Sequence, residues 1–513
     1  MDFSIRRDHR SRVRDCDQRE PICCRFAWQR IGVLAVCRPA LVAIGLAFFA
    51  ADANADATEA NANTTADART NVVLILIDDL GWKDLACYGS DYYQTPHIDQ
   101  LANEGMRFTD GYAACNVCSP TRAALMSGKY PARLLLTQWL PSGRWSATGN
   151  KLREGRYISN LPLEEVTIAE AMRDAGYRTA FMGKWHLGTE TYYFPEHQGF
   201  DVNIAGRDYG APGNYFYPFE GKWKIPTTGQ KLFKQAPLSG KTGDYLVDRL
   251  AEEAERFIRE SASEPFFLVL SHYAVHTPLQ GKPEKVKRYQ QVPKDDQQGK
   301  PDYAAMVESV DDSVGRVMTT LSELKLDQQT LVIFTSDNGG FAGATANEPL
   351  RANKGSNYEG GIRVPVIVKW PGRTKPASVS NEPVISTDFY PTILAATGQP
   401  LRPYQHIDGE SLVPVLTGNG DLHRDALYWH YPHYNQHPES FPSGVIRAGN
   451  WKLIESYETG EITLYNLADD LGERNDLSNE QPEKVAELHR KLKAWRKEVG
   501  ADPMKPNPEY TGQ

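Results

Sequence analysis

The stretch "NVVLILIDDLGW", residues Asn71–Trp82, is the most informative part of this 513-residue chain. Seven uncharged residues, most of them aliphatic, stop at the pair Asp78-Asp79. An unbroken apolar strand of this kind is typical of a parallel sheet that is covered on both faces. The stretch "TLVIFTSDNGG" repeats the arrangement and stops at Asp337-Asn338. We therefore expect two buried strands that each end in side chains with oxygen donors.

A third apolar stretch, "PFFLVLSHYAVHTP", is followed by His276, and helical stretches separate the strands. Thr167–Gly176 and Asp244–Ser261 place their apolar residues at the spacing of an amphipathic helix. Strands that alternate with helices predict an α/β fold with a large, mixed, mostly parallel sheet flanked by helices. Ligands of such folds bind beyond the carboxyl ends of the strands.

The pattern changes after Val413–Gly420, where short aromatic strands precede the helical stretch "EKVAELHRKLKAWRKEV". We expect a small C-terminal antiparallel sheet that carries one helix. The predicted organisation is a leader at 1–57, a flexible linker at 58–69, a main catalytic domain at 70–420 and a C-terminal subdomain at 421–513. A chain of this length exceeds one typical core, which agrees with one large and one small domain.

The leader has the pattern of an export signal. Arg25, Arg30 and Arg38 precede the apolar run "ALVAIGLAFFA", and "ADANADA" then offers cleavage sites between small residues. The alternative is an uncleaved membrane anchor, but the apolar run is short for a helix that spans a bilayer. We expect an exported protein, periplasmic or secreted, with no stable membrane association once the signal is removed.

The composition is that of a soluble globular protein, with 41% hydrophobic and 24% charged residues. The net charge of −8 argues against a nucleic-acid-binding protein, which would be basic. Cys87, Cys115 and Cys118 are the cysteines beyond the leader. An odd number in an exported protein leaves at least one thiol without an internal partner.

Asp78, Asp79, Asp337 and Asn338 carry the oxygen donors that Ca²⁺ and Mg²⁺ prefer. Brought together at one edge of the sheet, these side chains would form a site for one such cation. Each pair taken alone fits a plain turn better, since Asp, Asn and Gly are common turn residues. Two pairs that both end apolar strands favour the metal site.

The stretch "ACNVCSPTRAALMSGKY", residues Ala114–Tyr130, has three interpretations. Its Cys-x-x-Cys spacing fits a redox dithiol, or half of a zinc site, although no second cysteine pair completes four soft ligands. In the third interpretation Ser119 is the N-cap and Pro120 the first residue of a helix. Cys118 would then lie just before a helix N-terminus, which favours an anion. With Arg122 at the same end of the helix, this arrangement suggests nucleophilic attack on a sulfate or phosphate ester.

The same stretch contains "CSPTR", which matches the Cys-x-Pro-x-Arg signature of the type I sulfatases of the alkaline phosphatase superfamily. Other segments resemble that family in their order along the chain: "LILIDDLGW", "TPHIDQLANEGMRFTDGY", "GYRTAFMGKWHLG", "HTPLQ", "TSDNGG", "KGSNYEGGIRVPVIVKWPG" and "NWKLIE…LYNLADDLGERNDLS". The resemblance spans residues 70–480 and implies an alkaline-phosphatase-like fold and a sulfuric ester hydrolase of the arylsulfatase type.

The resemblance also implies one Ca²⁺ per chain, and its ligands would be Asp78, Asp79, Asp337, Asn338 and residue 118. Cys118 would be oxidised to the aldehyde formylglycine by a formylglycine-generating enzyme. The hydrate of that aldehyde has two hydroxyls: one takes up the sulfuryl group, and the other then loses its proton, which expels sulfate and restores the aldehyde. A serine would be trapped as its sulfate ester.

The remaining site residues follow from the same resemblance. Arg122 would neutralise and position the modified residue, and Lys184 would contact both that residue and the sulfate. His276 and Lys354 would donate protons to the leaving oxygen, and His186 would be the base for sulfate elimination. General acid and base catalysis of this type contributes about 10²–10⁴-fold to a rate.

The expected substrate is a sulfated small molecule or glycan, and export of the enzyme favours a sulfated carbohydrate. Residues 189–240 and Tyr428–Phe441 are rich in aromatic side chains, which would either stack on sugar rings or pack within their own domain. His272 is expected to be a packed residue rather than a metal ligand. Cys87 and Cys115 are expected to be structural, and their pairing stays open.

Three alternatives compete with a sulfatase. The nearest is a phosphonate monoester or phosphodiester hydrolase of the same superfamily, since sulfate and phosphate esters share their geometry. The second is an exported Cys-x-x-Cys oxidoreductase, whose exchange activity would require Cys115. The third is a catalytically silent, calcium-dependent glycan-binding protein, which would result if Cys118 were never modified.

Overall fold

The computed structural model describes residues 69–141, 145–225, 229–233 and 238–512. The predicted leader and all but the last residue of the predicted linker lie outside the described residues. Within the described ranges, no helix is long and apolar enough to cross a membrane.

The described residues form strands and helices throughout. The strands are β1 Asn71–Ile77, β2 Met106–Phe108, β3 Gly111–Tyr112, β4 Leu152–Arg153, β5 Arg178–Gly183, β6 Val202–Ile204, β7 Gly221–Ile225, β8 Gly229–Phe233, β9 Phe266–Ser271, β10 Thr330–Ser336, β11 Val366–Lys369, β12 Ser378–Ser380, β13 Val384–Ile385, β14 Leu427–Tyr431, β15 Ser443–Ala448, β16 Trp451–Ser456, β17 Ile462–Asn466 and β18 Lys505–Pro506. The α-helices are α1 Pro96–Glu104, α2 Cys118–Ser127, α3 Pro131–Leu134, α4 Ile168–Asp174, α5 Leu246–Glu260, α6 Pro283–Tyr289, α7 Pro301–Glu323, α8 Glu359–Ile362, α9 Phe389–Ala396, α10 Val413–Thr417 and α11 Pro482–Glu498. Short 3₁₀ turns lie at Ala86–Tyr88, Thr191–Tyr193, Pro195–His197, Lys294–Asp296, Asp327–Gln329 and Ser386–Asp388.

The main sheet has eight strands among the described residues, in the order β12-β2-β11-β10-β1-β9-β5-β6. β1 lies between β10 and β9 and is parallel to both. β5 and β6 continue the parallel part of the sheet, whereas β11 is antiparallel to both of its neighbours. The prediction of a large, mixed, mostly parallel sheet is confirmed.

Helices cover both faces of this sheet. β1 is buried along its whole length, and its alternate side chains enter two different hydrophobic cores. Val73 and Ile75 belong to the core that contains residues of α5, α6 and α7, whereas Val72 and Leu74 belong to the core that contains residues of α2, α4 and α9. Burial of one such aliphatic side chain contributes about 1.5–3 kcal/mol. Two covered faces therefore explain why the six residues that follow Asn71 in this strand are all aliphatic.

The helix predicted within Thr167–Gly176 is α4. Thr167 is its N-cap: Oγ1 accepts a hydrogen bond from the backbone N–H of Glu170 at 3.1 Å, and the Glu170 carboxylate accepts one from the N–H of Thr167 at 2.8 Å. This capping box satisfies two N–H groups that have no partner inside the helix.

The small C-terminal sheet is antiparallel, in the order β14-β15-β16-β17, and α11 packs on it, as predicted. The core beneath this sheet includes Ala124 of α2 and Ile362 of α8. The sheet therefore packs directly on the element that begins with Cys118. The subdomain boundary at residue 420 stays a prediction.

A buried ion network joins this sheet to the rest of the chain. Nζ of Lys452 lies 2.8 Å from a carboxylate oxygen of Glu359 and 2.8 Å from one of Glu473, and the three side chains are fully buried. Glu359 also accepts a hydrogen bond from Tyr112 Oη at 2.7 Å and pairs with Arg363 at 3.1 Å. The network thus connects β16 with α8 and β3.

Candidate active site

Four side chains with oxygen donors meet at the carboxyl ends of β1 and β10. The last residues of these strands pair in parallel register, so the residues that follow them lie side by side. Carboxylate oxygens of Asp78, Asp79 and Asp337 lie within 4.8 Å of one another. Nδ2 of Asn338 donates to Asp79 Oδ1 at 2.8 Å. All four side chains are almost fully buried, and we call them the oxygen cluster.

The oxygen cluster fits a divalent cation. Oδ1 of Asp78 and Oδ1 of Asn338 are buried, and neither has a hydrogen-bond partner in the described part of the chain. A buried oxygen without a partner costs free energy, and coordination to a cation would remove that cost. Because every donor is a carboxylate or amide oxygen, the site suits Ca²⁺ or Mg²⁺ rather than a softer metal.

Two lysines neutralise the oxygen cluster. Nζ of Lys184 donates to Asp78 Oδ2 at 2.7 Å. Nζ of Lys354 donates to the two carboxylate oxygens of Asp79 at 2.6 and 2.8 Å. Lys184 follows β5 and Lys354 lies in the loop between β10 and α8, so both come from segments far from β1 in the sequence.

Arg122 binds three segments together. Its Nε and Nη2 lie 2.8 and 2.7 Å from Asp337 Oδ2. Its Nη1 donates to the carbonyl of Lys184 at 2.6 Å and to Ser271 Oγ at 2.7 Å. Arg122 is 2% exposed, so this charge-assisted network is shielded from solvent. It fixes α2 against the ends of β5, β9 and β10.

The start of α2 differs from the prediction. Cys118 is the first residue of the helix and Val117 precedes it, without a side-chain cap. Ser119 is inside the first turn, where its Oγ accepts a hydrogen bond from the N–H of Leu140 at 3.2 Å. Pro120 is therefore the third helical residue rather than the first. Proline is tolerated throughout the first turn because those N–H groups have no partner inside the helix, so it does not mark the start. Cys118 still lies at the positive end of the helix.

His186 faces Cys118. Its Nδ1 lies 3.4 Å from Cys118 Sγ, and its Nε2 lies 2.6 Å from the carbonyl of Leu140. Because a carbonyl only accepts, Nε2 carries the proton and Nδ1 presents its lone pair to residue 118. A Cβ at Gly210 would lie 2.6 Å from His186 Cε1, so glycine leaves room for this ring.

His276 lies on the Asp79 side of the site. Its Nε2 is 3.7 Å from Asp79 Oδ2, and its Nδ1 is 2.8 Å from the carbonyl of Thr277. Tyr215 Oη donates to the carbonyls of Tyr273 and His276 at 2.6 and 2.9 Å. This aromatic residue of the 189–240 region therefore supports the segment that carries His276.

Burial and neighbouring charges set the ionisation of the site. Burial raises the pKa of Asp78 well above its ordinary value. Burial also acts on Asp79, but Lys354 and His276 outweigh it and lower the pKa of that carboxyl. Burial, assisted by Lys184, lowers the pKa of His186 well below its usual range. Burial, assisted by Lys354, lowers the pKa of His276 to about 3.

The sequence analysis did not identify three positioning groups. Ser271 Oγ donates to the carbonyl of Lys184 at 2.8 Å, and the Leu140 carbonyl orients His186. The Asp84 carboxylate accepts from Gly81 N at 2.8 Å and from Tyr303 Oη at 2.5 Å. Asp84 follows the Asp78-Asp79 pair within one turn-forming segment, and this position in the sequence could have indicated its role. A backbone carbonyl leaves no such signal in a sequence.

The other residues considered above have no contact with the oxygen cluster. Cys87 and Cys115, like Cys118, are free thiols in the structure. His272 is fully buried, and its Nε2 lies 2.9 Å from Ser313 Oγ. Among the described residues, His272 does not belong to any cluster of side chains that could hold a metal ion.

The fold and the site define an α/β protein of the ester-hydrolase type, with cationic side chains arranged around a candidate divalent-cation site. The family described as "Sulfatase" matches residues 70–399, and the family described as "N-sulphoglucosamine sulphohydrolase, C-terminal" matches residues 352–498. The chain belongs to the sulfatase family and is a sulfuric ester hydrolase. Membership implies a formylglycine and a divalent metal ion.

Known relatives cover most of the chain. A sulfatase of Formosa agariphila is 33% identical over 502 residues, which cover 85% of this chain and 90% of that protein. Human arylsulfatase A is 35% identical over 409 residues, 74% of each chain. The structure of Ps i-CgsB in complex with k-i-k-neocarrahexaose has a TM-score of 0.70 and 30% identity, and it covers 87% of this chain and 95% of that chain.

Proposed function

We propose that this chain hydrolyses sulfate monoesters of a carbohydrate to the alcohol and sulfate, with residue 118 as a formylglycine nucleophile and one bound Ca²⁺. The observation that supports this most directly is the 3.4 Å contact between Cys118 Sγ and His186 Nδ1, in a site that also contains the oxygen cluster. Ester hydrolysis of this kind needs a nucleophile, a base and positive charge held together in one site.

The four side chains of the oxygen cluster would hold the cation. When bound, Ca²⁺ would polarise the sulfate oxygens and stabilise the charge that develops on them. Calcium takes about six to eight oxygen ligands and accepts several carboxylates. Three carboxylates at one point, with the amide group of Asn338 beside them, agree with that preference, whereas Mg²⁺ usually keeps several waters and one or two carboxylates.

His186 would act as the base at residue 118. Once oxidised and hydrated, residue 118 supplies a hydroxyl for attack on sulfur. The lone pair of His186 Nδ1 points to this position, so it can accept the proton of the second hydroxyl when sulfate is expelled. The hydrogen bond from Nε2–H to the Leu140 carbonyl holds the ring in this orientation.

Lys184 and Lys354 would bind the sulfate. An ammonium group has three donors, and Lys184 Nζ uses one of them on Asp78. Lys354 Nζ uses two on Asp79. Each lysine therefore keeps donor capacity for an anionic substrate. Arg122 has a different role, because its N–H groups point at Asp337, Ser271 and the Lys184 carbonyl: it neutralises Asp337 and fixes the helix that carries residue 118.

Lys354 would protonate the leaving oxygen, and His276 would do so from its doubly protonated form, because its Nδ1–H already faces the carbonyl of Thr277. Both lie next to Asp79, at 2.6 and 3.7 Å, whereas His186 lies next to Cys118. The candidate donors and the candidate base thus contact different parts of the site. A displacement at sulfur needs this separation, because the nucleophile and the leaving group lie on opposite sides of the reacting atom.

The proposed substrate is a sulfated carbohydrate. One relative of known structure, Ps i-CgsB, is seen in complex with k-i-k-neocarrahexaose and shares 30% of its sequence with this chain. We further propose export to the periplasm or medium, supported by the leader pattern, and conversion of Cys118 by a formylglycine-generating enzyme during maturation. Small aryl sulfates would be cleaved as well, since they need few contacts with the outer part of the cleft.

Two measurements test this function. The first is mass spectrometry of the tryptic peptide that carries residue 118, from enzyme made with the converting enzyme; an aldehyde is expected and a plain thiol in active enzyme contradicts the proposal. The second compares the rates on nitrophenyl sulfate, phenylphosphonate monoesters and phosphodiesters. Sulfate should be the best substrate, and a faster phosphonate or phosphodiester reaction would favour the alternative hydrolase.

A further inference from the structure

A cavity of about 400 Å³ lies on the C-terminal sheet, within the size range of ligand sites, about 300–1,000 Å³. It lies between the loop 432–442, which joins β14 to β15, and the hairpin that joins β16 to β17. The lining residues that matter here are Tyr434, Ser440, Phe441, Ile454, Glu458 and Thr463. We call this cavity the hairpin pocket.

The hairpin pocket has an apolar side. The rings of Tyr434 and Phe441 are half-buried, so part of each ring stays open to solvent. Ile454 and Tyr358 are buried and complete this side. A pyranose ring has one face of C–H groups, which packs well on a rigid aromatic surface because both are apolar.

Polar groups converge on the same space. Tyr434 Oη donates to Glu458 Oε2 at 2.5 Å, and the other carboxylate oxygen lies 3.4 Å from Lys151 Nζ. Oγ of Ser440 is buried without a hydrogen-bond partner in the described part of the chain. The hydroxyl of Thr463 belongs to the lining as well. A few such groups beside an aromatic surface orient a ligand that carries hydroxyls.

The charge of the lining decides which sugar fits. Glu458 and Glu461 line the hairpin pocket, and no lysine or arginine is among its described lining residues. A sulfate group placed here would meet the carboxylates of Glu458 and Glu461, and the nearby ammonium group of Lys151 is already paired with Glu458. An uncharged sugar has no such penalty, and its hydroxyls can donate to the Glu458 carboxylate.

The hairpin pocket shares a loop with the candidate active site. Asn435 Nδ2 donates to the carbonyl of Gly355, the residue after Lys354, at 3.0 Å. A Cβ at Gly355 would lie 2.5 Å from the ring of His437. His437 is three positions from Tyr434 and four positions from Phe441 along the chain, so its Cα atom lies at most about 14 Å from theirs. The loop 432–442 therefore joins the hairpin pocket to the segment that carries Lys354, within the reach of an oligosaccharide bound at the active site.

We propose that the hairpin pocket binds an unsulfated sugar unit of the same oligosaccharide whose sulfated unit occupies the active site. The proposal rests on the carbohydrate substrate proposed above and adds a remote subsite that selects against charge. The enzyme would then prefer oligosaccharides that contain both sulfated and unsulfated sugar units.

The test is calorimetric titration of the full-length mature enzyme with uncharged hexasaccharides of galactose, glucose, mannose, xylose and fucose. At least one should bind, and Tyr434→Ala should weaken it roughly tenfold, which corresponds to about 1.4 kcal/mol. Glu458→Arg should weaken the same ligand and strengthen binding of the sulfated k-i-k-neocarrahexaose. Tyr404→Ala is the matched control, because Tyr404 is 93% exposed and outside the pocket. Circular dichroism of each variant verifies its folding.

The proposal is overturned if no uncharged hexasaccharide binds the wild-type enzyme, or if Tyr434→Ala and Glu458→Arg bind it as tightly as Tyr404→Ala does. Release of sulfate from nitrophenyl sulfate by the wild-type enzyme is measured in parallel. Loss of that activity alone would count against the proposed sulfatase mechanism, whereas unchanged titrations in the two pocket variants would count only against the subsite.

Discussion

Replacing Lys452 with methionine tests the buried ion network between the C-terminal sheet and the main domain. Nζ of Lys452 lies 2.8 Å from Glu359 Oε1 and 2.8 Å from Glu473 Oε1, and none of the three side chains is exposed. Methionine fills much of the volume of lysine, so the substitution mainly removes the charge. Two buried carboxylates would then lie close together without the cation between them.

The structure sets the size of the effect. Removal of one partner of a buried ion pair costs about 3–5 kcal/mol, because the other charge is left buried and unpaired. One ammonium serves two carboxylates here, but Glu359 keeps Arg363 and Tyr112 as partners. We therefore expect the free energy of unfolding to fall by about 4 kcal/mol at pH 8.

The loss should depend on pH. Burial raises the pKa of Glu473 to about 7 even with Lys452 present. A carboxyl with a higher pKa in the folded than in the unfolded state stabilises the fold fully below its unfolded pKa, near 4.5. That contribution is lost as the pH rises through the folded value. Without the ammonium group of Lys452 the pKa of Glu473 should rise further, so this carboxyl stays protonated and uncharged at pH 5. The variant should therefore lose little stability at pH 5 and most at pH 8.

Urea unfolding, followed by tryptophan fluorescence, measures the free energy of unfolding of the variant and the wild-type protein at pH 5 and at pH 8. Lys491→Met is the matched control, since Lys491 pairs with Asp425 at 2.8 Å on the surface and its removal should cost less than about 1 kcal/mol. Adding Glu473→Gln to Lys452→Met should restore part of the loss. A cost below about 1 kcal/mol at pH 8, or the same cost at both pH values, would refute this reasoning.

Three further predictions concern the site and the fold. Cys118→Ala should abolish hydrolysis of nitrophenyl sulfate while Cys115→Ser stays active, and equal activities in the two variants would contradict the assignment of the nucleophile. A calcium chelator should lower both the melting temperature and the rate, and added Ca²⁺ should restore them in the wild-type protein but not in Asp337→Ala; a melting temperature insensitive to Ca²⁺ would argue against the oxygen cluster as its site. Thr167→Ala removes the N-cap of α4 and should cost about 1 kcal/mol in urea unfolding, whereas Thr189→Ala on the exposed surface should cost nothing measurable.

The sequence predicted the central strands well because their signal is local. β1 and β10 are buried on both faces, so residues 72–77 and 331–334 are apolar throughout, and the polar residues of each strand lie at its ends. The same locality explains the oxygen cluster: the side chains that follow two parallel neighbours must meet at one edge of the sheet. The capping box of α4 is local in the same sense, with Thr167 and Glu170 three residues apart.

Other features depend on contacts that no local pattern encodes. The start of α2 was misplaced by two residues because Ser-Pro fits several positions of a first helical turn. Lys354 and Asp79 are 275 positions apart, and only the family resemblance suggested that they belong to one site. The carbonyl of Leu140, which fixes the tautomer of His186, is a backbone group and has no sequence signature.

The pairing of β1 also has a consequence for biosynthesis. Asn71 pairs with Thr330, and Val72 pairs with Phe267, so the strand at the centre of the sheet leaves the ribosome long before either neighbour exists. Contacts of such long range close slowly. A nascent chain that stalls before Ser336 would present an unpaired aliphatic edge, and this protein should therefore depend on a chaperone until its middle third has been made.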